Sequence, residues 1–178
     1  MIARTLFLES KKLRIFDFDD TLVKTDSYIY VTHKNGRTSK LTPGEYAVYK
    51  PKPGDEFDYS DFTQVKNPTE IKGITKVLRD MARAGGDRGV YILTARDAER
   101  PIRKYLKDIG IRNVEVIGLG SSDPMDKANW IRDKVEDEGY DDVYFIDDSV
   151  KNTKAVKRTL QDLGVKHQVT LMKRKWMK

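Results

Sequence analysis

The stretch Leu13-Arg14-Ile15-Phe16-Asp17-Phe18-Asp19-Asp20-Thr21-Leu22 constrains this chain more than any other, because an apolar run passes directly into three carboxylates. Leu13, Ile15, Phe16 and Phe18 fit a buried strand, which would deliver Asp17, Asp19 and Asp20 together at its carboxyl end. Acids packed this closely repel one another and resist burial unless positive charge sits among them. A divalent cation is the simplest source of that charge. The plainer reading is a strand ending in an acidic turn that caps a helix, since Asp and Thr are ordinary turn and N-cap residues.

Downstream, apolar runs alternate with helical patterns. Ile71, Ile74, Leu78 and Met81 form one stripe, which predicts a helix from Asn67-Pro68 to about Ala84, closed by Gly85-Gly86. Val90 to Thr94 reads as a second buried strand, followed by a helix from about Asp97 to Ile109. Val114 to Ile117 is a third strand, and Asp123 caps a helix from Pro124 to about Glu138. Val143 to Asp147 is a fourth strand, Ser149 to Leu163 a helix ended by Gly164, and Gln168 to Met172 a short fifth strand. Such alternation implies an α/β fold with a mainly parallel sheet covered on both faces. Ligands of such sheets bind beyond the carboxyl ends of the strands.

Residues 24–66 lack this rhythm and read as an insertion. Asn35-Gly36 lies between the β-prone runs Tyr28 to Thr32 and Arg37 to Thr42, the strongest short hairpin signal. Thr42-Pro43 opens a short helix through Tyr49, which Pro51, Pro53 and Gly54 break; 55–66 reads as extended or looped. Tyr28, Tyr30, Tyr46, Tyr49 and Tyr59 either stack on bases or pack the insertion. His33 and His167 read as surface residues, and Trp130 as core.

At 178 residues, the chain suits one domain (1–178) with one sizeable core. It has no cysteine, which excludes disulfides and thiolate metal sites and fits a reducing, cytoplasmic compartment. Residues 1–8 read as neither signal peptide nor membrane span. The formal net charge is +6 and the sequence pI about 9.3, which favours phosphorylated or polyanionic partners. That charge is dispersed except in the basic tail 173–178, where Trp176 sits among basic residues.

In a parallel sheet the strand ends share one edge. Asp17, Asp19, Asp20 and Thr21 would meet Thr94, Ala95 and Arg96 there, with Asp147, Asp148 and Ser149 beside them. Carboxylates from two strands are hard oxygen ligands suited to Mg²⁺. A hydroxyl and a forked guanidinium would take phosphate oxygens. With no Gly-rich phosphate loop in the chain, a carboxylate is the natural nucleophile for phosphoryl transfer.

These motifs resemble those of the haloacid dehalogenase (HAD) superfamily. Asp17-Phe18-Asp19-Asp20-Thr21 is similar to its first motif, Asp-x-Asp-x-Thr; Thr94 to its second; Lys127 to the lysine of its third; and Asp147-Asp148 to the acidic pair of its fourth. The resemblance implies a Rossmann-like sheet of order 5-4-1-2-3, with a β-hairpin flap and small cap at residues 24–66. It also implies Asp17 as nucleophile, Asp19 as general acid and base, and Thr94 and Lys127 as phosphoryl contacts. Mg²⁺ would be held by Asp17, the Phe18 carbonyl and Asp148, with Asp147 supporting and Asp19 adjoining.

Thr94-Ala95-Arg96 further resembles the second motif of polynucleotide 3′-phosphatase domains, in which the arginine helps hold the phosphate. The expected activity is hydrolysis of a phosphate monoester on a nucleic acid end or nucleotide. The alternatives are a small-metabolite phosphatase and a non-catalytic nucleic-acid-binding module on the same fold. No membrane partner is expected.

Overall fold

The computed structural model describes residues 9–173. Residues 1–8 and most of the expected basic tail, Trp176 included, lie outside the described residues. The main sheet comprises β1 (Lys12–Phe16), β7 (Arg88–Thr94), β8 (Glu115–Gly118), β9 (Asp142–Asp147) and β10 (Lys166–Leu171), in the order β10-β9-β1-β7-β8. Every pairing in it is parallel. Counted along these five strands alone, the order is fifth, fourth, first, second, third. The chain labels differ because five short strands outside this sheet intervene between β1 and β7.

Alternation along β1 divides the core between two faces. Phe16 and Phe18 join Ile92, Val116 and Ile146 under Leu78 of α2 (Lys72–Arg83) and Ile102 and Leu106 of α3 (Glu99–Asp108). Leu13 and Ile15 join Leu93, Val143 and Phe145 against Ala128 and Ile131 of α4 (Pro124–Glu138) and Val156 and Leu160 of α5 (Val150–Leu163). Leu13, Ile15, Phe16 and Phe18 are fully buried, each contributing about 1.5–3 kcal/mol. Trp130 is only partly buried, its ring edge-on to Tyr91 with centroids 5.0 Å apart.

Helix starts follow local capping chemistry where side chains supply it. Asp123 accepts from Met125 N–H at 2.9 Å, with Pro124 in the first turn of α4. Ser149 caps α5, and Gly164 ends it at φ +65, a conformation that costs glycine nothing. The helix expected from Asn67 begins instead at Lys72. Thr69–Glu70 forms β6 and pairs antiparallel with β2 (Val23–Lys24), and Ile71 N–H donates to Leu22 O at 2.9 Å. These backbone groups are claimed by a partner far along the chain, so they cannot start a helix.

Between β2 and β6 lies a separate antiparallel sheet. The hairpin is β3 (Ile29–Thr32) and β4 (Thr38–Leu41), with Gly36 at φ +77 in its turn. Thr42 and Glu45 form a reciprocal capping box on α1 (Pro43–Val48), satisfying two donors at once. β5 (Glu56–Asp58) pairs with the other edge of β3, and a short 3-10 helix follows at Ser60–Thr63. Phe57 gathers the rings of Tyr46, Tyr49 and Tyr59 at 5.7, 6.0 and 6.2 Å. These aromatics therefore pack the insertion against itself.

Asp55 fastens the base of the hairpin. Its carboxylate accepts from Tyr49 Oη at 2.7 Å and Lys52 N–H at 2.8 Å, and lies 2.8 Å from His33 Nδ1. The Tyr49 hydroxyl foremost, then the Lys52 amide and His33, hold its carboxyl down at about 2. His33 is thus partly buried and engaged. No helix among the described residues is long and apolar enough to cross a membrane.

Candidate active site

Asp17 continues β1 past its last paired residue, its N–H donating to Ile146 O at 2.9 Å. That contact places it beside the end of β9, where Asp147 is fully buried. Thr21 Oγ1 donates to Asp17 Oδ2 at 2.9 Å, and Lys127 Nζ donates to Asp17 Oδ1 at 2.8 Å. The same ammonium donates to Asp147 Oδ2 at 2.8 Å. Asp147 also accepts from Ser149 N–H at 2.8 Å and Asn152 Nδ2 at 2.9 Å, both from the start of α5. Lys127 reaches this point because Asp123 and Pro124 set the start of α4 and fix the turn that follows.

The site carries more negative charge than its one buried lysine offsets. Burial pushes the Asp17 carboxyl well above its usual value; Lys127 opposes that push, while Asp147 and Asp148 add to it. Burial works against the Lys127 ammonium, but the facing Asp147 and Asp17 carboxylates outweigh it and raise its pKa. Oxygens of Asp17, Asp147 and Asp148 lie within 4.8 Å of one another. Three hard oxygen donors from two neighbouring strands fit a small divalent ion.

The Phe18 carbonyl does not fit the role expected of it. It accepts from Thr21, Leu22 and Val23 N–H at 3.4, 3.0 and 3.2 Å, which closes the turn after β1. Nor does the Asp19 side chain belong to the acidic trio. Asp20 completes the turn at φ +59 and donates its N–H to Val23 O; Asp tolerates that conformation better than most residues.

Asp19 instead meets Arg96. Arg96 Nε and Nη2 donate to its two carboxylate oxygens at 2.8 and 2.7 Å. Arg96, expected on the substrate phosphate, is buried with its side chain 1% exposed. Thr94 is buried at the end of β7, its Oγ1 accepting from Arg96 N–H at 3.2 Å, which leaves its own hydrogen to donate.

Sequence reasoning gave no role to Thr21, Thr25, Ser27 or Asn152. Thr21 sits within the first motif, and Asn152 in the first turn of α5, close enough behind Asp147 to suggest a contact. Thr25 and Ser27 carry no such signal; they reach Arg96 Nη2, each at 3.2 Å, only because the chain folds back over the sheet edge.

This strand order, with helices on both faces and the carboxylates at one sheet edge, defines a HAD-like fold. No protein-family model and no curated protein matches the chain. Among solved structures it is similar to the HAD domain of the Legionella pneumophila effector protein Lem4, solved as an inactive mutant. The two are 14% identical over 95% of this chain and 89% of that one, with a TM-score of 0.59. The Legionella pneumophila effector Ceg4 is 14% identical over 96% of this chain and 90% of that one, with a TM-score of 0.52. At such identity the likeness is one of fold.

Proposed function

We propose that this chain is a Mg²⁺-dependent phosphate-monoester hydrolase that works through an aspartyl-phosphate. The observation that carries this reading is the buried Asp17 carboxylate, held on one oxygen by Thr21 and on the other by Lys127, beside Asp147. Those two bonds fix a carboxylate in one orientation, as a nucleophile requires.

Asp17 attacks phosphorus, and the bond from phosphorus to the leaving oxygen breaks. Asp19 gives that oxygen its proton. Asp19 then takes a proton from water, whose oxygen attacks the phosphorylated Asp17 and releases phosphate. Thr94 donates its hydroxyl hydrogen to a phosphoryl oxygen, and Lys127 offsets the charge of nucleophile and phosphate. Asp17, Asp147 and Asp148 would hold Mg²⁺, which supplies positive charge where two anions must approach.

A nucleic acid end or a nucleotide is the proposed substrate class, supported by the net charge of +6 and a short insertion that leaves the sheet edge within reach of a large substrate. A small phosphate monoester is the second reading. It is favoured by the aromatic rings packing one another, which leaves fewer of them to stack on bases.

The test is to incubate the protein with Mg²⁺ and 3′- and 5′-phosphorylated oligonucleotides, mononucleotides, sugar phosphates and an aryl phosphate, beside Asp17→Asn. Release of phosphate from an oligonucleotide end supports the first substrate class. Preference for a small phosphate moves the assignment to the second. Failure to hydrolyse any of them, with Mg²⁺ bound, overturns the hydrolase reading.

A further inference from the structure

The Arg96 guanidinium has five N–H groups, and every nitrogen that bears them is engaged. Nε and Nη2 fork onto Asp19. Nη1 donates to the main-chain carbonyls of Phe62 at 3.3 Å and Gln64 at 2.6 Å, and Nη2 also meets the hydroxyls of Thr25 and Ser27. The Phe62 and Phe18 rings lie 4.7 and 5.5 Å from its Cζ. No donor remains for a phosphate oxygen. Two of the three groups it holds come from the insertion, and the third is the carboxylate assigned to proton transfer.

We infer that Arg96 is a positioning residue: it sets the plane of the Asp19 carboxylate and locks segment 60–66 of the insertion to it, so that insertion and proton donor form one unit. Each Asp19 oxygen has a lone pair beyond the one its Arg96 bond uses, so the fork orients the group without blocking proton transfer. Arginine suits this task because a planar fork fixes a carboxylate's orientation, whereas an ammonium fixes only its distance. The backbone of Arg96 is itself anchored: its N–H donates to Thr94 Oγ1, and its carbonyl accepts from Gly120 N–H at 3.3 Å. The proton-transfer role of Asp19 rests on the hydrolase reading above. The locking of the insertion does not.

Arg96→Lys keeps the charge and loses the fork. In Mg²⁺ with an aryl phosphate, we expect kcat to fall about 10- to 100-fold, the scale of a misoriented catalytic group, with KM and inhibition by inorganic phosphate held within about twofold. In an Asp19→Asn background the same change should alter kcat by less than about twofold, because a residue acting through Asp19 is non-additive with it. Weakened inhibition by phosphate would overturn the inference by making Arg96 a substrate contact. Additive effects of the two changes would overturn it by separating Arg96 from Asp19.

Amide hydrogen exchange across 60–66 gives a readout independent of turnover. Both Arg96→Lys and Asp19→Asn should speed exchange there while β1 and β9 stay protected. Unchanged exchange in Asp19→Asn overturns the coupling, because the insertion would then be held without the carboxylate. If the unaltered protein hydrolyses no phosphate, the hydrolase reading fails and the exchange measurement still decides the locking.

Discussion

Lys127 Nζ and Asp17 Oδ1 lie 2.8 Å apart although 110 positions separate them in the chain. Both are buried, and the pair joins the end of the central strand to the first turns of α4. A nucleophile and its counter-charge are therefore positioned by two elements packed on the same core.

Asp17→Asn keeps the shape of the side chain and removes its nucleophilic oxygen. Turnover of an aryl phosphate should be abolished, while circular dichroism and the thermal midpoint stay close to those of the parent. Substantial residual hydrolysis would mean that another group attacks phosphorus.

Lys127→Met removes the buried cation and leaves Asp17 and Asp147 facing each other. Breaking a buried pair from one side should cost about 3–5 kcal/mol in urea denaturation. Added Mg²⁺ should restore part of that loss by supplying charge to the same carboxylates. A variant as stable as the parent without Mg²⁺ would show that Asp17 and Asp147 tolerate one another unaided.

Mg²⁺ should raise the thermal midpoint of the unaltered protein, because an ion that binds only the folded state stabilises it by about 2.7 kcal/mol at a hundredfold excess over Kd. Asp148→Asn should remove most of that rise. Asp148 is the better probe of the trio, since Asp147 also accepts from Ser149 and Asn152. A full Mg²⁺ response in Asp148→Asn would take that residue out of the ion site.

Asp55 gives a pH signature in the insertion. Its carboxyl is held down at about 2, first by the Tyr49 hydroxyl, below an ordinary unfolded value of about 3.9. The ionised form therefore stabilises the hairpin at any pH above about 4, and that contribution disappears as pH falls through about 2. Asp55→Asn should speed amide exchange in 49–57 at pH 7, with the gap from the parent narrowing between about pH 4 and 2. A gap that stays constant across that range would show that charge on Asp55 contributes nothing.

Gly118, at the end of β8, meets the main chain that carries Arg96. An added Cβ would lie 2.6 Å from the Asp97 carbonyl oxygen and 2.7 Å from that of Arg96, and backbone cannot step aside as a flexible side chain can. Gly118→Ala should destabilise by about 1–3 kcal/mol, as overpacking does, and should lower kcat more than it raises KM by displacing Arg96. Denaturation and steady-state kinetics together check it.

The main sheet was legible because its causes are local. Short apolar runs between capped helices leave few alternatives to a parallel sheet, and the carboxylates at the ends of β1 and β9 point to one edge once the strands are parallel. The start of α2 was misread because Asn67-Pro68 resembles a helix opening, and nothing nearby shows that Thr69–Glu70 pairs with Val23–Lys24. β5 was missed for the same reason, since its partner is β3.

The chain's own letters determined the order of strands and helices and the residue types at the sheet edge: Asp17, Asp19, Thr94, Lys127, Asp147 and Asp148. The partner of each side chain was decided only by tertiary structure. Arg96 stands two residues after a strand-end hydroxyl, a place that suggested phosphate, yet the folded chain supplies it first with Asp19 and the carbonyls of Phe62 and Gln64. The Phe18 carbonyl likewise goes to the turn that follows it. A buried donor or acceptor must find a partner, and which one it finds depends on groups that folding brings within reach, not on neighbours along the chain.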